Sequence, residues 1–577
     1  MSFFVDQLRR LGLPLATVGL AACGGDEPPP ANAGQPAAGP SAPAVRFVDA
    51  TAGSGLDGFV QVNGRPDKPT IVESFGGGVA LVDVDGDGDL DAYLTNGGML
   101  DGSAPDARDA LMLNDGSGVF TDATDAKGVD GRGWTTGVEA GDVNGDGRID
   151  LFLTAYGRDT LLVQRVDGTF EDRTEASGLA DGSWSTGAAF LDVDRDGDLD
   201  LYVGRHIDLD LEEIESTRKR ERWMEQEVYY GPRGLVGLPD RFYLNDGAGV
   251  FTDATAAFGV DVHALYAFEV VAFDADGDGW TDVYVANDSM PNLFFRNVEG
   301  QRFEEQGVLS GAALSSSGGP QAGMGVAVGD ADGDADADLF VTNFSEDHYT
   351  LYVNRGDGRF SDRTMRGRLV APTRAFLGWS TGFHDLDLDG DQDLWCVNGH
   401  VFPQADAAGS GMGYAQRAQV FINGGDARFR EAEDAGGGLD VPRTSRGAAA
   451  GDVDGDGDVD LLIGNIDGSP TLLVNRTDRA LAPVTVTLED RHVGARLEAT
   501  FSGSSQVRWL GSGAGFLSCA GAQAVFAVPD GAAAGDLVVL RADGSREAYE
   551  GLLAPGVHVT IPAGGGAPRT APIEDAR

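Results

Sequence analysis

A nine-residue pattern, D-x-[DN]-x-D-G-x-x-D, recurs seven times along this chain, and a repeat of that kind constrains the fold before any single element is considered. It reads DVDGDGDLD at residues 83–91, DVNGDGRID at 142–150, DVDRDGDLD at 192–200 and DADGDGWTD at 274–282. Three further copies are DADGDADAD at 330–338, DLDLDGDQD at 385–393 and DVDGDGDVD at 452–460. The flanks repeat too. Each copy leads into a short β-prone run, such as LFLT from Leu151, LYVG from Leu201, VYVA from Val283 and LLIG from Leu461. A second run follows, LMLN at Leu111, FYLN at Phe242, LYVN at Leu351 and LLVN at Leu472, often closed by an Asp-Gly turn suited to a hairpin. Then comes an F-x-D-x-T segment, clear at Phe47, Phe120, Phe170, Phe251 and Phe360 and degraded at Phe303 and Phe429. Four short strands per unit, seven units over, predict an all-β chain whose residues 46–478 form a seven-bladed β-propeller. A parallel β-helix of calcium-binding nonapeptides would repeat every nine residues or so, not at these intervals. The blade that joins the two chain ends is not assigned.

The spacing within the pattern points to a divalent cation. Ca²⁺ takes six to eight oxygens, and carboxylates at positions 1, 3 and 5 wrap one ion if the backbone turns sharply at position 6, where glycine is cheap. A carbonyl at position 7 and a carboxylate at position 9 complete the protein ligands, in the manner of half an EF-hand loop flanked by strands. The expected ligands are Asp83, Asp85, Asp87 and Asp91; Asp142, Asn144, Asp146 and Asp150; Asp192, Asp194, Asp196 and Asp200; and Asp274, Asp276, Asp278 and Asp282. The last three loops supply Asp330, Asp332, Asp334 and Asp338; Asp385, Asp387, Asp389 and Asp393; and Asp452, Asp454, Asp456 and Asp460. Up to seven calcium ions are expected. Magnesium is the rival, but it keeps more of its water, so an all-protein cage favours calcium. Ala335 stands where the fifth loop should have glycine, placing a Cβ in a conformation expected to need positive φ.

These loops with their F-x-D-x-T and LxxN strands resemble the FG-GAP/VCBS repeats of integrin-type propellers. YGPRGLVGLPDRFYLNDGAGVF from Tyr230, GMGVAVGDADGD from Gly323 and LGWSTGFHDLDLDGDQDLWCVNGHVFP from Leu377 resemble, more narrowly, bacterial relatives of the cartilage acidic protein. That resemblance implies a C-terminal ASPIC/UnbV domain. VGAR at residues 493–496 and GAGFLS at 513–518 are similar to its motifs, inside a strand-rich segment at 482–561. Its later motifs are eroded to VFAVPDG at Val525 and RADGS at Arg541, and residues 562–577 read as a loose tail.

The N-terminus reads as an address. Arg9 and Arg10 precede an apolar run of about a dozen residues, too short to span a bilayer and suited to a signal peptide over 1–22. It ends in LAAC at Cys23, which resembles a bacterial lipobox and implies lipidation of Cys23; an ordinary signal cleaved after Ala22 is the alternative. The Pro-, Ala- and Gly-rich stretch at 23–45 reads as a tether. An extracytoplasmic cell-envelope lipoprotein is expected, touching membrane only through its anchor. The formal charge of -50, from 92 acidic against 42 basic residues, repels phosphate backbones and argues against nucleic acid. Three cysteines without a CxxC pair supply neither a disulfide framework nor a zinc site.

No GxSxG, HExxH or P-loop occurs, and the carboxylates are committed to the loops, so no catalytic residue is assigned. His400 has no paired nucleophile in view. The stretch at 206–240 interrupts the repeat with a charged, helix-prone run bearing Arg218, Lys219, Arg220 and Arg222, read as a solvated helix covering one face. The favoured function is non-catalytic adhesion or binding of an extracellular protein or polysaccharide. The alternative is a calcium-dependent surface enzyme acting on a polysaccharide or lipid-like polymer, with its site in the central channel or beneath the 206–240 insertion.

Overall fold

Seven antiparallel four-stranded units make the blades of a propeller in the computed structural model of the chain, the first of them extended by a fifth, parallel strand at Cys519–Ala520. The structure describes residues 45–573, apart from 105, 130, 132, 218, 408, 410, 434, 491, 492, 512 and 514. The expected signal segment, Cys23 and nearly all of the tether lie outside the described residues.

Blade 1 runs Val79–Val82, Asp91–Leu94, Ala110–Asn114 and Phe120–Asp122, with the first Asp loop joining its two innermost strands. Blades 2 to 6 repeat this order, beginning at Trp134–Gly141, Ser185–Leu191, Ala267–Phe273, Gly323–Gly329 and Gly378–His384. Blade 7 takes only three strands from the end of the repeat, Ser445–Gly451, Asp460–Asn465 and Thr471–Asn475. Its outer strand is Phe47–Asp49, which pairs with the last of them in the register Phe47↔Asn475 and Asp49↔Leu473. The ring is thus closed in blade 7 by strands from both ends.

The F-x-D-x-T segment has a local cause. In blade 1 the Asp122 carboxylate accepts the Thr124 N–H, and the Thr124 hydroxyl oxygen accepts the N–H of Leu111 in the neighbouring strand. Asp49, Thr51 and Leu472 repeat this geometry in blade 7. In five of the blades a short polar triplet therefore turns the chain after the outer strand while satisfying backbone groups that a sheet edge leaves open.

The C-terminal domain holds two four-stranded sheets. One contains Gln523–Val528, Ala482–Leu488, Val557–Ile561 and Arg569–Pro572; the other Ser504–Leu510, Ala495–Phe501, Gly535–Leu540 and Arg546–Leu553. Val484, Val486, Leu497, Phe526, Leu537 and Ile561 are buried between them. Residues 569–572, expected in a loose tail, form a strand paired with Val557–Thr560 because their backbone groups complete an otherwise open edge.

From this domain residues 515–519 enter the propeller channel. Gly515 exchanges two backbone hydrogen bonds with Val326 of blade 5, at 2.8 and 2.9 Å. The Leu517 carbonyl accepts from Val138 of blade 2, the Ser518 hydroxyl accepts the Val79 N–H of blade 1, and Cys519 pairs with Ala80. Phe516 packs against Trp379, with ring centres 4.7 Å apart. The segment thus occupies the channel, one of the two places where the alternative function would put a site.

The 206–240 insertion is only partly helical. Leu211–Thr217 is a helix, but Arg220–Trp223 and Gln226–Tyr229 form a hairpin where one helix was expected. The physical reason is aromatic packing that the hairpin brings together: Trp223 lies against the His400 ring at 4.5 Å, while Tyr229 packs on Phe402 at 4.9 Å.

Candidate metal centres

All seven Asp loops share one hydrogen-bonding plan. The carboxylate at position 1 turns the loop around itself: Asp83 accepts the N–H groups of Gly86 and Gly88, at 2.7 and 2.9 Å. Asp142, Asp192, Asp274, Asp330, Asp385 and Asp452 likewise accept the N–H of position 6. Position 6 has positive φ throughout, from +69° at Ala335 to +107° at Gly390. Position 4 is left-handed as well, which the sequence reading missed. Glycine meets that need in five loops, whereas Arg195 at +63° and Leu388 at +54° carry side chains there. Arg195 stacks on Trp280, 3.9 Å from the ring centre, and Leu388 is buried in the main apolar cluster together with Val525 and Ala527.

The carboxylate at position 9 ties loop to strand. Asp91 accepts the N–H of Val84 through one oxygen and that of Asn114 through the other. Asp150, Asp200, Asp282, Asp338, Asp393 and Asp460 do the same in their blades. Burial nevertheless wins over these bonds and holds their acidity weak, with neighbouring Asp charges adding to the effect. Asp91 and Asp150 are pushed up to about 7 and Asp200 and Asp338 to about 8, while Asp282, Asp393 and Asp460 lie well above the ordinary carboxylate range.

Positions 1, 3 and 9 converge. In the first, third, fourth, fifth and sixth loops one oxygen from each of the three carboxylates lies within 4.8 Å of the others. In the second loop Asn144 offers a neutral oxygen, which accepts the Asp146 N–H. The position 5 residues each accept the N–H two residues on through one oxygen, as Asp87 does from Asp89 at 3.0 Å. Several position 3 oxygens are buried without a hydrogen-bond partner among the described residues: one each of Asp332 and Asp454, and both of Asp387. Buried anionic oxygens in that state are costly, and a hard cation with oxygen ligands removes the cost, so the residues fit such an ion. Guanidinium groups partly neutralise four loops: Arg148 contacts Asp146, Arg296 contacts Asp276 and Asp278, Arg508 lies 3.8 Å from Asp385, and Arg476 pairs with Asp454 at 2.5 Å and Asp456 at 3.0 Å.

A ring of amide side chains, also missed, surrounds these loops. Asn114, the Asn of LMLN, donates across the blade junction to the carbonyl of Val453, position 2 of the preceding loop. Gln164, Asn245, Asn297, Asn354, Asn423 and Asn475 each reach the corresponding carbonyl of Val84, Val143, Val193, Ala275, Ala331 and Leu386, at 2.5 to 3.0 Å. The recurring Asn at the end of the third strand was the signal.

His400 is a packing residue: it is buried, its Nδ1 accepts the Phe402 N–H, and its Nε2 lies 3.2 Å from the Ser345 hydroxyl. On the insertion, Lys219 and Arg222 pair locally with Glu213 and Glu225, and Arg218 lies outside the described residues. Among the described residues no helix is long and apolar enough to cross a membrane.

Residues 83–153, 142–203, 274–341 and 330–396 match the profile of the FG-GAP-like repeat, so the chain carries repeats of that kind. No curated protein matches the sequence. Solved structures similar to it include an Agrocybe aegerita lectin described for specific recognition of non-reducing terminal N-acetylglucosamine, at 15% identity over 64% of this chain and 87% of that chain, TM-score 0.37. The V. cholerae biofilm matrix protein Bap1 shares 12% identity over 89% of this chain and 63% of its own, TM-score 0.29. The rhamnogalacturonan lyase YesW shares 12% over 69% of this chain and 71% of its own, TM-score 0.33. At this level of likeness none of the three carries its ligand over to this chain.

Proposed function

We propose that this FG-GAP-repeat chain is a calcium-loaded, non-catalytic binding or adhesion module of the cell envelope. The observation that carries the reading is the oxygen-only ligand set that recurs from blade to blade, with three converging carboxylates in the first, third, fourth, fifth and sixth loops and unpartnered buried oxygens at position 3 of the fifth, sixth and seventh. Calcium suits it better than magnesium, which prefers fewer protein ligands and more retained water. The bound ions supply positive charge that lets the carboxylates stay ionised within the fold. The C-terminal domain is read as ASPIC/UnbV-like on the motifs at 493–496 and 513–518, and Cys23 as the lipidated anchor. An extracellular protein or polysaccharide is the proposed ligand.

Two measurements test the reading. Purified calcium-loaded protein, screened on a glycan array with and without EDTA, should retain a ligand only with calcium and leave it intact; shortening of the captured glycan, or retention indifferent to EDTA, overturns it. Metabolic labelling with a fatty acid should mark the wild-type chain and not Cys23→Ser; equal labelling refutes the anchor.

A further inference from the structure

The sixth loop departs from its six relatives in a way the ion alone does not require. Its sequence, DLDLDGDQD, carries leucine at positions 2 and 4, and Leu388 accepts a left-handed backbone to do so. Leu386 and Leu388 are both buried, in the apolar cluster that also contains Val525 and Ala527 of the C-terminal domain. The backbone connecting propeller to domain passes over this loop: the N–H of Ala480 donates to the carbonyl of Asp387 at 2.9 Å. From the domain's own sheet, the buried Arg508 brings its guanidinium to 3.8 Å from Asp385.

Asp385, Asp387 and Asp393 are all buried, with their oxygens within 4.8 Å of one another. Neither oxygen of Asp387 has a hydrogen-bond partner among the described residues, although the residue is 0% exposed. The seventh loop, also beneath the domain, is served differently, since Arg476 and Arg479 pair with Asp454, Asp456 and Asp458. The sixth triad has the single guanidinium of Arg508, and that charge comes from the other domain. One divalent cation together with Arg508 neutralises three carboxylates.

We infer that the cation of the sixth loop is the fastener between the propeller and the C-terminal domain, so that ion binding at Asp385, Asp387 and Asp393 and docking of the domain through residues 476–480, Leu388 and Arg508 favour one another. The inference rests on the calcium reading above. Domain docking brings the guanidinium and the apolar cover to the loop, and the ion makes the triad tolerable beneath them. Linkage of this kind is reciprocal. The open loops have no such role, and the first is representative, with Asp85 and Asp87 exposed.

The test uses the full chain, with calcium as the probe, bound ion counted by atomic emission and backbone protection followed by hydrogen exchange. Asp387→Asn and Asp85→Asn should each hold one ion fewer than wild type. Only Asp387→Asn should speed exchange at residues 476–480 and in Ala482–Leu488, by about tenfold or more, while Phe170–Asp172 of blade 2 stays as in wild type. Equal protection in the two variants overturns the inference and leaves the calcium reading standing; a wild-type chain that binds no calcium overturns both. Should Asp387→Asn not fold, wild type decides alone: on calcium withdrawal, exchange at 476–480 should accelerate before that at Phe170–Asp172, and simultaneous loss overturns the inference.

Discussion

The side-chain amide of Asn114 donates to the backbone carbonyl of Val453 at 2.8 Å, joining blade 1 to the Asp loop of blade 7. Its second contact is the Leu90 carbonyl at 3.2 Å, and Asn114 is itself buried. Truncation leaves two carbonyls inside without a donor, at about 1–3 kcal/mol for each buried group so stranded. Asn114→Ala should therefore lower the urea midpoint, and Asn114→Gln should do so less, because Gln164 makes the equivalent bond in blade 2. An alanine variant with an unchanged midpoint would remove the clamp.

Without metal, stability should fall as pH rises from about 5 to 8. Asp91, Asp150, Asp200 and Asp338 keep their protons to about 7 or 8 in the fold, whereas an unfolded Asp releases its proton near 3.8. Between those limits the folded chain binds more protons, so raising the pH drives unfolding. Three buried histidines act oppositely: His206 and His400 are held down to about 3 and His384 to about 4, so stability is also lost as pH falls below the ordinary histidine value of 6.5. Melting scans in EDTA and in saturating calcium check this. Calcium should raise the midpoint more at pH 8 than at pH 5, because its ligands must be ionised. Part of the slope should survive calcium, since Asp109 and Asp159, outside the loops, are pushed by burial to about 7 and 8. A calcium effect independent of pH would contradict the assignment of the loop carboxylates as ligands.

Ala335→Gly should stabilise the chain by about 0.5 kcal/mol. Ala335 sits at φ +69°, where an L-residue costs about 1–2 kcal/mol, and glycine relieves that while adding about 0.4–1 kcal/mol of unfolded-chain entropy. Both backbone contacts of the residue, from its N–H to Asp330 and from Arg496 to its carbonyl, are kept by glycine. Urea unfolding in calcium reads the difference, and a loss of stability would show that the fifth loop is unstrained.

The blade plan was legible because it is local and repeated. The Asp loop, the Asn-terminated strand and the F-x-D-x-T triplet each serve contacts within a blade or its neighbour, so each recurs at fixed spacing. Ring closure was legible too, though it went unread: an F-x-D-x-T stands at Phe47 before the first loop, and none follows the seventh. The channel-filling segment was not legible in the same way. Gly515, Leu517 and Ser518 contact Val326, Val138 and Val79, residues far apart in the chain that leave no periodic trace around 513–519. Leu388 shows the same limit, since a leucine at position 4 reads as a flaw in the loop until the domain above it is in view. The segment 220–229 reads as helical because its charged residues suit a helix surface, while the aromatic packing of Trp223 and Tyr229 that holds the hairpin depends on His400 and Phe402.

The outer strand of blade 7 is among the first parts of the described chain to leave the ribosome and the last of its blade to find a partner. Arg46 and Thr477, which meet through a hydrogen bond, are separated by 431 residues. At about 5–20 residues per second of synthesis, Phe47–Asp49 waits on the order of 20–90 s with its pairing edge unsatisfied. Its apolar content is one buried phenylalanine, with Val48 outward and Asp49 behind it, so the waiting strand offers little for a stray edge to join. Brevity there is protection in time: a longer, greasier first strand would hold the ring more firmly once made and would be more exposed to misassembly while it waits.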